Sequence, residues 1–376
     1  MFPTSAQVET LDRQLGVCCE LYNAALQERR DCYHATGKSI AFPAQSSQLP
    51  GIKADRPDVG EVFSQVLQDV LHRVDKTFKA FFGRVRRGEK KVGFPRWRSR
   101  RRYDSLTYPQ MGFTLEDRHV NVSKIGRVKI KLHRPVEGRV KTLSLKREAG
   151  KWYALFSCEV EAVPLPASDE AVGIDVGLTT FAVLSDGSEI ANPCYARKAA
   201  AAVRRAQRKV ARRKKRGNSR RKAVVLLQKA HAHVVNQRND FHYKAAREIV
   251  NRFGLIAVED LNVKGLAGSM LARSVHDAGW GMFLARIDEK AESAARLVVR
   301  VNPNGTTQRC SGCQTVVPKT LSQRWHECPS CGLSLSRDEN AAREILRLGL
   351  GLSLDARTWP GTACVASEAP AFRHGE

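Results

Sequence analysis

Three successive patterns along the chain predict a multidomain protein of mixed α+β and α/β class. Apolar residues recur at three-and-four spacing over the first hundred residues, alternate with period two from about 106 to 160, and then gather into short apolar strands separated by helical stretches. A linker, EAVPLPASDE at 161–170, divides the second pattern from the third, because Pro164 and Pro166 break strand pairing. With 376 residues, 42% of them hydrophobic, the chain can bury about two or three cores.

The first element is a helix over 5–35, with Val8, Leu11, Leu15, Cys18, Tyr22 and Ala25 on one face. A connector containing Pro and Gly, 37–60, leads to a second helix striped by Val62, Val66, Val70, Val74, Phe78 and Phe81; such a stripe reads as core. Residues 84–105, RVRRGEKKVGFPRWRSRRRYDS, interleave Phe94, Trp97 and Tyr103 with Lys90, Lys91, Arg96 and other cations. That composition suits base stacking with phosphate neutralisation, and it equally suits a solvated linker whose aromatics anchor locally. From 106 to 160 the alternation in Val120–Val122, Val128–Leu132, Leu143–Leu145 and 151–160, with a turn at Glu148-Ala149-Gly150, predicts a small antiparallel sheet or barrel.

Beyond the linker, the apolar run AVGIDVGLTTFAVL carries Asp175 in its interior, and GLIAVED ends on Glu259. An unpaired carboxylate in an apolar strand is costly unless a cation offsets it. If the two strands are neighbours, Asp175 and Glu259 face each other, and a helix packed on the sheet can bring Asp338. Three carboxylates suit two divalent ions, Mg²⁺ or Mn²⁺, acting on a phosphodiester. The competing reading of Asp338 is a helix N-cap or first-turn acid, and Asp260 is expected on the opposite strand face from Glu259.

Charge narrows the partner. Lys and Arg number 63 against 38 acids, a formal charge of +25 with a pI near 10.0, which points to nucleic acid. No run approaches the roughly twenty apolar residues of a spanning helix, so no membrane association is expected, and the N-terminus lacks a signal-peptide pattern. Residues 197–222 hold fourteen Lys or Arg and no acid. Arg204, Arg205, Arg208, Arg212, Arg213, Lys214, Lys215, Arg220 and Arg221, with Arg238 beyond them, are the candidate phosphate contacts, on helices expected to break at Gly217-Asn218. His231, His233 and His242 are read as ordinary helix histidines.

Four cysteines, Cys310, Cys313, Cys328 and Cys331, form Cys-x2-Cys-x14-Cys-x2-Cys, a zinc-ribbon spacing just below the usual gap of about fifteen to twenty. Cys18, Cys19, Cys158, Cys194 and Cys364 read as small apolar residues in a reducing cytoplasm, and Cys32 is assigned no role.

In order, GIDVGLTTFAVLSDG, the basic helix, NQRNDFHYK, IAVEDL, DAGWG, the four cysteines and RDENAA resemble TnpB, the OrfB-type protein of bacterial insertion sequences and a compact relative of type V CRISPR effectors. The match is specific over 171–348, and GFPRW extends it towards the N-terminus. The resemblance implies a helical recognition region (1–105) with a remnant first barrel strand, a wedge-type β-barrel (106–168), and an RNase H-like, RuvC-type nuclease (169–305 and 335–348) with an inserted zinc ribbon (306–334). The tail, 349–376, is expected to be disordered. The implied activity is RNA-guided cleavage of double-stranded DNA beside a short flanking motif, with a transposon-derived guide RNA, Mg²⁺ (or Mn²⁺) at Asp175, Glu259 and Asp338, and Zn²⁺ on the cysteines. A monomer in the bacterial cytoplasm is expected. A catalytically inactive RNA-guided repressor and an RNA-independent transposition accessory are the alternatives. Two departures accompany the resemblance: a shortened N-terminal strand before Pro3, and Gln314 where Gly commonly follows the first cysteine pair.

Overall fold

The computed structural model describes residues 1–320 and 322–355, so the expected tail lies mostly outside the described residues, although 349–355 continue a helix. The chain divides into two compact units, 1–161 and 162–376.

The first unit opens with α1 (Ser5–Thr36), started by a reciprocal Thr4/Gln7 capping box and stopped by Gly37 at φ 67°. The expected connector is helical instead: α2 (Phe42–Ser47), α3 (Leu49–Asp55) and α4 (Pro57–Gly60) each carry a proline, Pro43, Pro50 or Pro57, at their first or second position. Proline is pre-set for helix entry there and lacks an N–H that would go unpaired. Then α5 (Ser64–Arg86) packs Val66, Leu67, Val70, Leu71 and Val74 into one core with Leu11, Leu15, Cys18 and Tyr22 of α1. The strands β1 (Ser105–Tyr108), β2 (Phe113–Leu115), β3 (His119–Val122), β4 (Gly126–Lys129), β5 (Arg139–Glu148) and β6 (Lys151–Glu159) form two antiparallel three-stranded sheets, β1-β5-β6 and β2-β3-β4. Ala149 and Gly150, both at positive φ, make the β5–β6 hairpin. At the N-terminus Phe2 bridges Lys129 and the terminal amine donates to the Trp152 carbonyl at 3.0 Å.

The second unit is a layered α/β structure. Its sheet has the order β11-β10-β7-β8-β9, in which β7 (Ala171–Val176), β8 (Thr180–Leu184) and β9 (Glu189–Ala191) are antiparallel. After the hairpin of α6 (Tyr195–Ala211) and α7 (Asn218–Arg252), β10 (Leu255–Glu259) returns parallel to β7. The short α8 (Val263–Leu266) and α9 (Ala272–Ala278) precede α10 (Trp280–Ser293), and β11 (Leu297–Val301) adds parallel to β10. A small hairpin, β12 (Trp325–Glu327) with β13 (Ser334–Ser336), leads into α11 (Arg337–Asp355). Strand alternation sorts the two faces. Val172, Ile174, Ile256 and Val258 pack with α7 and α10, while Leu255, Ala257 and Val301 pack with Ile345 of α11. His242 is a core residue on the first of these faces, stacked on Phe181 and bonded through Nε2 to the Ala278 carbonyl at 2.9 Å.

Candidate functional site

Asp175 and Glu259 come together through register. The parallel β7–β10 pairing runs from Ala171↔Leu255 to Ile174↔Val258, so the next step sets Asp175 level with Glu259. Parity puts both on the face covered by α11: Gly173 lies two residues before Asp175, and a Cβ on Gly173 would lie 2.0 Å from the Ala342 carbonyl oxygen of that helix. Asp338 stands one turn before Ala342, at the end of the helix that reaches the two strand acids. The helix start is capped by another residue, since Ser336 Oγ accepts from the Glu339 N–H at 3.1 Å. Asp338 is therefore in the first turn with its carboxylate 3.6 Å from Arg337 Nε.

The electrostatics record this convergence. Burial first, and then the Glu259 and Asp338 carboxylates, hold the Asp175 carboxyl well above the usual carboxylate range. Burial also pushes Glu259 up, opposed by the Thr306 hydroxyl, which donates to Oε1 at 2.5 Å. Thr306 is 2% exposed and fixes one Glu259 oxygen. Nothing in the local sequence marks this residue. Asp260 is exposed, its N–H bonded to the Val301 carbonyl.

Among the described residues, the group whose ligand atoms all lie within 4.8 Å of one another is Cys310, Cys313, Cys328 and Cys331; the three carboxylates are more open. Sulfur separations are 3.7 Å for Cys310–Cys331 and 3.4 Å for Cys313–Cys328. Sulfurs about 2.3 Å from a tetrahedral zinc stand about 3.8 Å apart, so the donor set fits that ion. The two knuckles match: Gln314 and Gly332 N–H groups donate back to the Cys310 and Cys328 carbonyls, each at 2.9 Å, with φ 67° and 74°. Gln314 thus occupies a left-handed position that glycine takes more easily. Its amide also reaches the Cys310 carbonyl at 3.2 Å and buried Glu344 at 3.1 Å. Fully buried Asn340 completes the attachment, accepting from Ser311 N–H at 3.0 Å and donating to the Arg309 carbonyl at 2.7 Å. The cysteine knuckle is thereby bonded to the same helix that carries Asp338.

The candidate nucleic-acid residues divide. Lys90, Lys91, Arg96 and Trp97 are exposed, as are Arg204, Arg205, Arg208, Arg212, Arg213, Lys214, Lys215 and Arg221. Two spend their guanidinium groups internally: Arg220 donates to the Val210 and Arg213 carbonyls, and Arg238 to the His276 carbonyl. Of the three interleaved aromatics, Tyr103 is 1% exposed and belongs to the core, with Arg73 over its ring. Among the described residues, no helix is long and apolar enough to cross a membrane.

Residues 155–270 match the OrfB/IS605 family described as "Probable transposase", 280–345 a "Cas12f1-like, TNB domain", and 1–38 a "Helix-turn-helix domain", although the chain forms one continuous helix, α1, across most of that last stretch. A "Putative RNA-guided DNA endonuclease" of Streptomyces pristinaespiralis is 32% identical over 94% of this chain and 88% of its own length. The "Putative RNA-guided DNA endonuclease InsQ" of Escherichia coli K12 is 29% identical over 92% and 90%. The solved "Cas12f1-sgRNA-target DNA complex" shares the fold with a TM-score of 0.58 at 15% identity, over 90% of this chain and 82% of that one. At this level of identity over nearly the full length, the chain belongs to the TnpB family of OrfB-type insertion-sequence proteins, relatives of Cas12f1.

Proposed function

We propose that this chain is an RNA-guided DNA endonuclease of a transposable element, cutting at a RuvC-type centre made of Asp175, Glu259 and Asp338. The observation that carries the proposal is the convergence of these three acids on the α11 face of one sheet, where burial first and then the Glu259 and Asp338 carboxylates raise the Asp175 carboxyl. The donor set is three carboxylates, all hard oxygen ligands, with one Glu259 oxygen already held by Thr306, which fits Mg²⁺ or Mn²⁺ and not a thiophilic ion. When bound, two such ions supply an activated water and stabilise the leaving oxygen. The chain's own part is placement: β7 and β10 fix two carboxylates, Thr306 holds one oxygen of Glu259, and α11 brings the third acid. The RNase H-like reading is supported by three antiparallel strands continued by two parallel ones, with helices on both faces.

Zn²⁺ on the four cysteines would hold the knuckles against α11. A wedge-type role for the first unit is supported by its two antiparallel sheets, and that unit would read the flanking motif. The exposed cations of α6, α7 and the loop after α5 would neutralise a transposon-derived guide RNA and the target DNA, with base pairing reading sequence. The protein would work as a monomer in the bacterial cytoplasm.

The test is to purify the protein expressed with its flanking DNA, sequence the bound RNA, and offer a matching duplex with Mg²⁺. Cutting that disappears in Asp175→Ala while target binding persists supports the assignment. Cutting retained in that variant removes it, and activity unaffected by RNase treatment would favour an RNA-independent accessory.

A further inference from the structure

A cavity of about 580 Å³ lies in the first unit among residues of α1, α5 and the loop that follows, within the range of small-ligand sites. Its walls are aromatic. Phe94 meets Phe78 and Phe81 edge to face, with centroids 5.8 and 5.3 Å apart. Phe82 and Tyr33, also in the lining, leave 46% and 60% of their surface exposed. Contiguous exposed aromatics of this kind are uncommon on a surface without a binding role.

One lining residue is polar and almost fully buried. Arg29 is 5% exposed, donates through Nε to Gln45 at 2.7 Å and through Nη1 to Asp75 at 3.1 Å, and lies with its guanidinium carbon 5.4 Å from the centre of the Phe78 ring. Its Nη2 has no partner among the described residues. Buried donors are rarely left so. At the rim stands exposed Arg30, and Phe94 belongs to a segment, 84–102, that holds ten Lys or Arg against one acid.

These features select among occupants. An aliphatic side chain would suit the rings but offers no acceptor to Arg29. A bare phosphate would suit the arginine and leave the rings without a partner. A purine or pyrimidine has a π face for Phe and Tyr, carbonyl and ring-nitrogen acceptors for Arg29, and an attached phosphate for Arg30.

We infer that this cavity takes an unpaired base of a single-stranded nucleic acid, a role that rests on the nucleic-acid reading above and not on the carboxylate chemistry. Guide RNA and displaced DNA share that chemistry, and the test separates them.

The experiment measures binding of short oligo(U) RNA and oligo(dT) DNA to the full-length Asp175→Ala protein without added divalent cation, each probe beside an abasic version of equal length. Phe82→Ala is expected to weaken the base-bearing probe at least about fivefold. The abasic probe should be unaffected, and Phe82→Tyr should restore binding. A loss confined to one sugar type names the source. Equal losses on base-bearing and abasic probes, or no loss, overturn the inference; binding of neither probe by the parent protein overturns the nucleic-acid reading and this site with it. Should Phe82→Ala not fold, Tyr33→Ala gives the same comparison from a residue that is 60% exposed.

Discussion

Gly173→Ala tests whether close approach of α11 to the sheet is what places Asp338. The new Cβ would lie 2.0 Å from the Ala342 carbonyl oxygen and 2.5 Å from the Leu346 nitrogen, both backbone atoms of α11. Real Cβ contacts essentially never fall below 3.0 Å, so the helix must retreat by about 1 Å. Overpacking of this sort costs about 1–3 kcal/mol, and a 1 Å displacement of a reacting group costs about a hundredfold in rate. The assay is single-turnover cleavage by RNA-loaded protein, with target affinity and thermal unfolding measured on the same preparation. Cleavage should fall about a hundredfold with affinity nearly unchanged, and Tm should drop by several degrees. Gly51→Ala is the matched control, because an added Cβ there meets nothing within 4 Å. A folded Gly173→Ala protein that cuts at the parent rate would refute the account of how the third acid is positioned.

Other expectations follow from the same geometry. Asp175 has its folded pKa raised, so its favourable contribution is complete below the unfolded carboxyl value of about 4 and is lost as pH rises through the higher folded value. Asp175→Asn should therefore raise the Tm of the divalent-free protein at pH 8, with the gain shrinking on acidification, and a lower Tm at pH 8 would contradict the clustered acids. Asn340→Ala leaves Ser311 N–H and the Arg309 carbonyl without their partner, at about 1–3 kcal/mol for each orphaned group. Faster zinc loss to a chelator and a lower Tm should result. Replacing Arg212, Arg213, Lys214 and Lys215 by Ala should flatten the dependence of log K for single-stranded RNA on log salt by up to about 0.7 per lost phosphate contact. Arg220→Ala should instead loosen the α6–α7 turn, read as a lower Tm, because its guanidinium holds two carbonyls there.

What could be read from the sequence was local. Period-two alternation located β3 to β6 but not β1 or β2, and the expected break at Gly217-Asn218 falls at the start of α7, while α6 already ends at Ala211, so that Arg212 to Lys215 lie in the turn. Asp175 and Glu259 stood out because each is an acid in an apolar strand, but their common face needed the β7–β10 pairing, a long-range choice that periodicity does not contain. Tyr103 looked like its basic neighbours and is core, since composition cannot tell an anchoring ring from a stacking one. The prolines of 37–60 read as breakers when each in fact opens a helix, because local signals do not distinguish the first turn from the interior. Thr306 and the Asn340 attachment were invisible, being hydrogen bonds between segments far apart in the chain.

The position of α11 in the chain has a consequence during synthesis. The ribosome makes β7 and β10 well before the helix that covers Leu255, Ala257 and Val301. Until that helix docks, the strand acids lack their third partner, and under the proposed mechanism a nascent chain is unarmed. Cutting would become available only once α11 has been made and has folded together with the cysteine knuckle, so the sheet that carries Asp175 and Glu259 forms without the means to cut.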